Sequence, residues 1–515
     1  MPSLPDPPSA LVEGRDAVPV WRRPWGWVTT TYFAEGLPYT IVNSAADALF
    51  TVMGMSLSNL GLTTVLHLPW NLKFLWGPFV DQYESKRRWL LATEVVLCIL
   101  LAVLTVVGDV GAPLSVVAAV FVVIAILSAT HDIAVDGFYL EGLDEEGQSR
   151  YVGYRAAAYR LAMLAVNGPL LVLADRLGWR VAWLMSLAIM IALTLYHAVS
   201  LPAPEQRRRP AAELLRRLLG PRVLLPVLAL IGLGLWAHGR QWWGVPEAVA
   251  AAMASIPGLG AMSLPGWIGL GLLLAVLLLL AALGPVRRWL DGHDSEYARS
   301  FVVFLEQPRV GALLAFVLLF RTGESFLQKM RWPFLHRELG LGLDAYGIAN
   351  GTVGMIATFA ATLLGGALIA KHGLRRWIWP FLLAQNVLNL LYAGLALWPQ
   401  PGEIGIGVIT VVITVEHFGA GLGTAVFMVY LMRCCDPEHK AAHMALLTAL
   451  MSVGFTLAGV ASGALAEVMG YGPYFAMTFA ATLPSMALVF VVPHLDRRAG
   501  RGGGAHGSTQ VPRPS

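Results

Sequence analysis

Charge is scarce in this sequence. Of 515 residues only 13% are Asp, Glu, Lys or Arg, while 57% are hydrophobic, and the mean hydropathy is +0.64. A soluble domain of this size needs far less apolar sequence to fill its core. Cysteine is scarcer still. Cys98, Cys434 and Cys435 have neither the spacing of a metal site nor the number for a disulfide framework. Adjacent Cys434 and Cys435, near a span end, read as small apolar filler. No nucleophile–base pairing or metal-ligand spacing marks an enzyme, so no cofactor or metal is expected. The net charge is +4, but the cations sit in loops between apolar runs, which argues against a nucleic-acid-binding face.

What is present is a series of apolar runs, at 89–108, 113–135, 182–201, 222–237, 266–284, 377–398 and 473–493. A bilayer takes about 20 residues to cross. With the less obvious segments included, the pattern predicts an all-α membrane protein of about fourteen transmembrane helices. Residues 1–24 form a polar, Pro-rich segment closing on Arg22 and Arg23, and the apolar stretch after it reads as a retained helix rather than a cleaved signal. The tail 494–515 is Gly-rich and basic, a composition that predicts disorder. Loops 81–88, 202–221, 285–308 and 371–376 hold most of the Lys and Arg. If both termini are cytoplasmic, only Arg176, Arg180, Arg240 and Arg337 fall outside, the bias expected of cytoplasmic loops.

One loop recurs. GPFVDQYESKRR (77–88) closes an apolar segment with Gly77, Asp81 and the cations Lys86, Arg87 and Arg88. GALIAKHGLRR (366–376) closes another with Gly366, then Arg375 and Arg376. Tyr139–Leu140 and Tyr430–Leu431 end spans at nearly the same offset. Two landmarks in one register divide the chain into a six-helix half at 25–201 and another at 309–493. The linker 202–308 holds an extra pair of helices, 222–240 and 263–284, whose connection carries Trp242 and Trp243 as interfacial anchors.

The segment 77–88 resembles the loop signature of the major facilitator superfamily, a Gly, an Asp four residues on and a basic cluster; the second copy has Ala370 in place of the Asp. KFLWGPFVDQY (73–83), SATHDIAVDGF (128–138), YRLAMLAVNGPLLVLADRLGW (159–179), EHFGAGLGTAVFMVYLM (416–432) and ALLTALMSVG (445–454) look like the AmpG-type muropeptide permeases within it. More distantly, acetyl-CoA transporters share the pattern. The resemblance covers both halves but neither the middle pair nor the tails. It implies the major facilitator fold and a monomeric, proton-coupled permease in the bacterial cytoplasmic membrane. Such a permease imports cell-wall turnover products by rocking its halves about a central site. Glu35 in AEGLP, and Lys329 and Arg331 in QKMRWP, depart from that family's pattern.

Ionisable groups at membrane depth are expensive and are functional candidates by default. Glu35 lies about ten residues into the first span, hence roughly 15 Å deep at 1.5 Å per residue. Gly36 and Pro38 interrupt the helix beside it. Glu35, Glu324 and Glu416 are the candidate proton carriers; the bland alternative is a permanent ion pair, and Arg321 is a ready partner for Glu324. Lys73 and Arg160, with Lys329 and Arg331, are candidates for holding an anionic substrate, or else counter-ions of those acids. Lys329 and Arg331 lean to different faces, so one of them is expected to snorkel outward. By the family resemblance, Asp132 and Asp136, one turn apart, would meet Arg87 and Arg88 and lock a cytoplasmic gate with Gly77, Asp81, Arg375 and Arg376. His131, His67 and His417 read as hydrogen-bonded helix contacts. The small-residue stripes GAGLGTA (419–425) and TLAGVASGALAE (456–467) predict close helix packing. Two other readings stay open: a different anionic or amphiphilic cargo such as an acyl-CoA-like compound, and a non-transporting binder of a lipid or pigment.

Overall fold

The computed structural model describes residues 22–202, 209–218, 296–398 and 404–495, with a few isolated positions between 220 and 288. The inserted pair expected at 222–240 and 263–284, with Trp242 and Trp243, lies outside these residues apart from the isolated positions, as do most of the N-terminal segment and the tail. Among the described residues the protein is helical throughout, with a single isolated bridge between Tyr83 and Arg209. Among the described residues nine helices are long and apolar enough to cross a membrane. The expected total of about fourteen depends on residues not described here.

The contacts divide the chain into two units. The first comprises residues 1–49 and 72–243. It contains α1 (Pro24–Thr40), then, after the segment α2 (Leu57–Leu62) has passed to the other unit, α3 (Lys86–Val107), α4 (Leu114–Gly142), α5 (Glu145–Leu177) and α6 (Trp179–Ser200). Ser85 caps α3 by accepting from the Arg88 amide at 3.3 Å, and Asp144 caps α5 by accepting from Gly147 at 2.8 Å. Glu145 and Glu146 add negative charge to that first turn. Gly178, at φ +89°, lets the chain turn directly from α5 into α6, a conformation costly for residues with a Cβ. Two wide π turns interrupt the spans. One follows Pro38 at Ile41–Ala45 and the other contains Pro169 at Val166–Leu170. Ser44 on the first bonds Asn167 on the second. A proline removes one backbone donor and widens the helix around it. The core beside them is aromatic, with Trp27 edge-on to Phe138 at 5.1 Å and Tyr32 edge-on to Tyr139 at 5.7 Å.

The second unit comprises residues 50–71 and 244–515. Its helices are α2, then α7 (Val310–Arg337), α8 (Leu343–His372), α9 (Leu374–Ala396), α10 (Ile406–Cys434), α11 (Lys440–Met469) and α12 (Tyr471–Ala480). The small-residue stripes pack as their composition predicts. A Cβ on Gly421 would lie 2.4 Å from the Thr358 carbonyl of α8, and one on Gly419 2.4 Å from the Ala384 carbonyl of α9. One on Gly463 of α11 would meet the Leu57 carbonyl of α2 at 1.8 Å. Backbones approach this closely only where side chains are missing, and in lipid such van der Waals packing holds helices together. Polar bonds reinforce the α2–α11 seam: Ser58 to Glu467, His67 Nε2 to Ser452 Oγ at 3.0 Å, and Asn71 to Thr456 at 3.3 Å. The aromatic core of this unit includes Phe320 stacked on Phe427 at 4.3 Å. Large apolar side chains such as Val106 and Leu195 in the first unit and Val468 and Phe490 in the second are exposed, as lipid-facing surfaces require.

Candidate functional site

In the first unit the charges converge. Tyr32 and Glu35 sit on one face of α1, three residues apart, and Asp132 and Asp136 on one face of α4, four apart. Lys73, in a short 3-10 turn (Lys73–Leu75), pairs with Asp132. Asp136 Oδ1 accepts from the Tyr32 hydroxyl at 2.7 Å and from Arg155 Nη2 of α5 at 3.0 Å. The Arg155 guanidinium lies over the Tyr32 ring at 4.4 Å and the Tyr139 ring at 5.3 Å. Glu35 is buried within electrostatic reach of Asp132, Asp136 and Lys73, and its Oε2 has no hydrogen-bond partner among the described residues. The cluster thus holds three carboxyl groups, Glu35, Asp132 and Asp136, against two cations, Lys73 and Arg155.

Arg160 is exposed on α5, and it is Arg155 that reaches the acids. Five residues turn a helix by roughly 140°, so the two arginines face different ways. The loop cations likewise have partners other than the two aspartates. Asp81 pairs with Lys86, whose stem passes over Gly137; Arg88 pairs with Glu84 at 2.7 Å; and Arg87 donates to the Ala198 carbonyl at 2.7 Å. Gly137 makes room for the Lys86 stem where any side chain would block it. Gly77 opens the short helix Gly77–Gln82, and Arg375 and Arg376 are exposed at the start of α9.

A second buried group in this unit joins His131 to Glu94 and His197, two residues not singled out in the sequence. Glu94 of α3 accepts at 2.6 Å from His197 Nδ1 of α6, with His131 Nε2 of α4 at 3.4 Å. His197 Nε2 meets Thr30 Oγ1 of α1 at 3.0 Å. All three ionisable side chains are wholly inaccessible. Glu94 breaks the apolar run ATEVVLCILL, and the depth argument applied to Glu35 would have found it.

The second unit pairs its acids one to one. Arg331 of α7, buried, donates from Nη2 to Glu416 Oε2 of α10 at 2.8 Å and from Nη1 to Asn350 Oδ1 of α8 at 2.7 Å. His417 Nδ1 lies 2.9 Å from the same Glu416 oxygen. Glu324 takes a two-pronged contact from Arg321, Nε at 3.0 Å and Nη2 at 3.1 Å, and a third bond from Gln328 at 2.7 Å. Lys329 turns away from this core and donates to Thr63 Oγ1 at 2.7 Å. The two QKMRWP cations therefore do face differently, with only the arginine turned inward. Among the described residues no cluster of His, Cys, Asp or Glu is arranged to hold a metal ion.

The family model of the Major Facilitator Superfamily matches residues 313–512, and that of Acetyl-coenzyme A transporter 1 matches residues 27–158. The Anhydromuropeptide permease of Escherichia coli (strain K12) is 26% identical over 467 residues, covering 89% of this chain and 77% of that protein. A Putative transporter AmpG 4 of Rickettsia felis is 22% identical and covers 90% of this chain and 94% of its own length. Among solved structures, a POT family transporter in complex with 5-aminolevulinic acid superposes with a TM-score of 0.65 at 12% identity, over 92% of this chain and 96% of that one. A peptide transporter POT in complex with sulfate gives 0.62 at 13% identity, over 92% and 95%. At such identities the solved structures speak to the fold alone. Matched by family models at both ends and by permeases along most of its length, the chain resembles the transporters of the major facilitator superfamily, AmpG-type permeases among them, and shares the helical fold of solved secondary transporters.

Proposed function

We propose that the protein is a proton-coupled uptake permease for muropeptide-like cell-wall turnover products, acting as a monomer by alternating access. In this reading it lies in the bacterial cytoplasmic membrane with both termini inside, and the segments 25–201 and 309–493 are its two moving halves. The observation that carries the reading is the charge count of the first-unit cluster. Three carboxyl groups against two cations leave one negative charge in excess when all are ionised. An uncompensated charge at membrane depth costs several kcal/mol. A single bound proton removes it, so the cluster suits a site that takes one proton up and gives it back. Glu35, whose Oε2 lacks a partner among the described residues, is the carrier in this scheme. Lys73 and Arg155 are the cations an acidic peptide would compete for. The cargo assignment draws support from the similarity to the Anhydromuropeptide permease along most of the chain.

The test is uptake by purified protein in liposomes. Labelled anhydromuropeptide should enter faster under an inward proton gradient than without one, and faster than into empty vesicles. Entry no faster than into empty vesicles overturns the cargo, and entry indifferent to the gradient overturns the coupling. The match of residues 27–158 to the Acetyl-coenzyme A transporter 1 model favours a second reading, an acyl-CoA-like anion. In that case acetyl-CoA, and not the muropeptide, would accumulate.

A further inference from the structure

The second unit contains a row of buried polar side chains that no ion pair explains. Gln385, Asn386, Asn389 and Tyr392 fall on adjoining faces of α9 and are all buried. Neither amide atom of Gln385, Asn386 or Asn389, nor the Tyr392 hydroxyl, has a hydrogen-bond partner among the described residues. A buried polar atom left unmet costs about 1–3 kcal/mol, and lipid offers no rescue.

The row starts where three interrupted helices meet. α7 is broken at Phe320–Arg321, α9 at Leu388–Asn389, and the last span at Ala481–Thr482, between α12 and Leu483–Leu488. A Cβ on Gly323 would lie 2.2 Å from Thr482 Cγ2 and 3.5 Å from Asn389 Nδ2, so the three breaks adjoin beside Glu324. The other end of the row is Tyr392, whose ring centroid lies 5.6 Å from the Arg331 guanidinium. The row therefore runs from the neighbour of the Arg321–Glu324 pair to the Arg331–Glu416 pair. Its packing is too close for a cargo molecule, since a Cβ on Gly423 would overlap the Gln385 amide. A water molecule needs two to four polar partners and little room, and the unmet amide and hydroxyl groups of the row supply such partners.

We propose that Asn386, Asn389 and Tyr392 bind a file of water molecules inside the second unit, and that this file carries protons between Glu324 and the Arg331–Glu416 pair. The hydration half stands alone; the proton half rests on the coupling proposed above. The ionisable groups around the row are Arg321, Glu324 and Arg331 from α7, Tyr346 from α8, and Glu416 and His417 from α10.

Hydroxyl-radical footprinting by X-ray radiolysis labels side chains that adjoin bound water, and it needs no cargo. Tyr474 is an internal control, equally buried but with its hydroxyl donating to the Phe326 carbonyl at 2.8 Å. Tyr392 should be labelled several-fold faster than Tyr474, and Asn386→Leu/Asn389→Leu should reduce that labelling to the Tyr474 level. Equal labelling of the two tyrosines in the unsubstituted protein overturns the proposal. For the proton half, Tyr392→Phe deletes one hydroxyl and leaves the packing intact. Gradient-driven uptake of labelled anhydromuropeptide should fall about fivefold while exchange without a gradient stays within about twofold. An equal fall in both, or in neither, overturns the proton file. If the unsubstituted protein shows no gradient dependence at all, the coupling reading fails and the footprint alone decides whether the row is wet.

Discussion

The two units treat buried charge in opposite ways. In the first, Glu35, Asp132 and Asp136 crowd together and share Lys73 and Arg155, so acids outnumber cations. In the second, Glu416 has Arg331 and Glu324 has Arg321, and the side chains left wholly without partners among the described residues include the neutral amides of α9. A one-to-one buried pair resists any change of protonation, because removing either charge strands the other. A cluster with one spare acid does not, because gaining a proton brings it closer to neutrality. The difference teaches that depth alone does not mark a proton carrier. Glu35 and Glu416 lie at similar remove from water, yet only Glu35 sits in a group whose charges fail to cancel.

The sharpest way to break this comparison is to strand a charge in the second unit. Arg331→Met leaves Glu416 buried without its main partner, and breaking such a pair costs about 3–5 kcal/mol. Thermal unfolding in detergent should show a large drop in midpoint, and the double variant Arg331→Met/Glu416→Gln should recover most of it. A double variant no more stable than the single one would mean that Arg331 serves chiefly through Asn350 and the Tyr392 ring.

The matching change in the first unit should be mild in stability and severe in function. Glu35→Gln removes the spare acid and cancels the excess charge, so the unfolding midpoint should hold or rise slightly. Gradient-driven uptake should fall at least tenfold while exchange persists. Loss of stability comparable to that of Arg331→Met would erase the distinction between the two units and return Glu35 to the role of a helix clamp.

How far these sites could be read from the sequence follows from what helical spacing can carry. The apolar runs, the small-residue stripes and the placing of Glu35, Glu324 and Glu416 inside apolar helices are properties of single helices, and they were legible. Partner choice depends on how each helix is rotated against its neighbours, and a single sequence does not contain that angle. Arg155 and Arg160 differ only by their turn around α5, so the arginine that meets Asp136 could not be singled out. The α9 amides escaped for another reason. A search for ionisable groups passes over Asn and Gln, and their lack of partners exists only in three dimensions. The 77–88 loop shows both limits, since its basic cluster marked the end of a span but not which cation is held.

That loop supplies the smallest expected effect and the finest test of the contrast between held and spare charge. Arg88 is mostly solvent-exposed and pairs with Glu84, four residues back, at 2.7 Å. Exposed pairs of this kind contribute about 0–1 kcal/mol. Lys86 is the reverse, with a side chain only 3% exposed, its stem on Gly137 of α4 and its ammonium on Asp81. A buried lysine stem contributes through packing as well as charge. Arg88→Ala should therefore leave the unfolding midpoint and the uptake rate close to their original values. Lys86→Ala should lower stability by about 1–2 kcal/mol, since it opens a gap beside α4, and should slow uptake, since α4 carries both aspartates of the cluster. If instead Arg88→Ala slows uptake and Lys86→Ala does not, the loop works through a partner that Arg88 meets in another state of the cycle. The basic cluster would then be a gate whose bond is made and broken at Arg88, and Lys86 would be no more than its hinge.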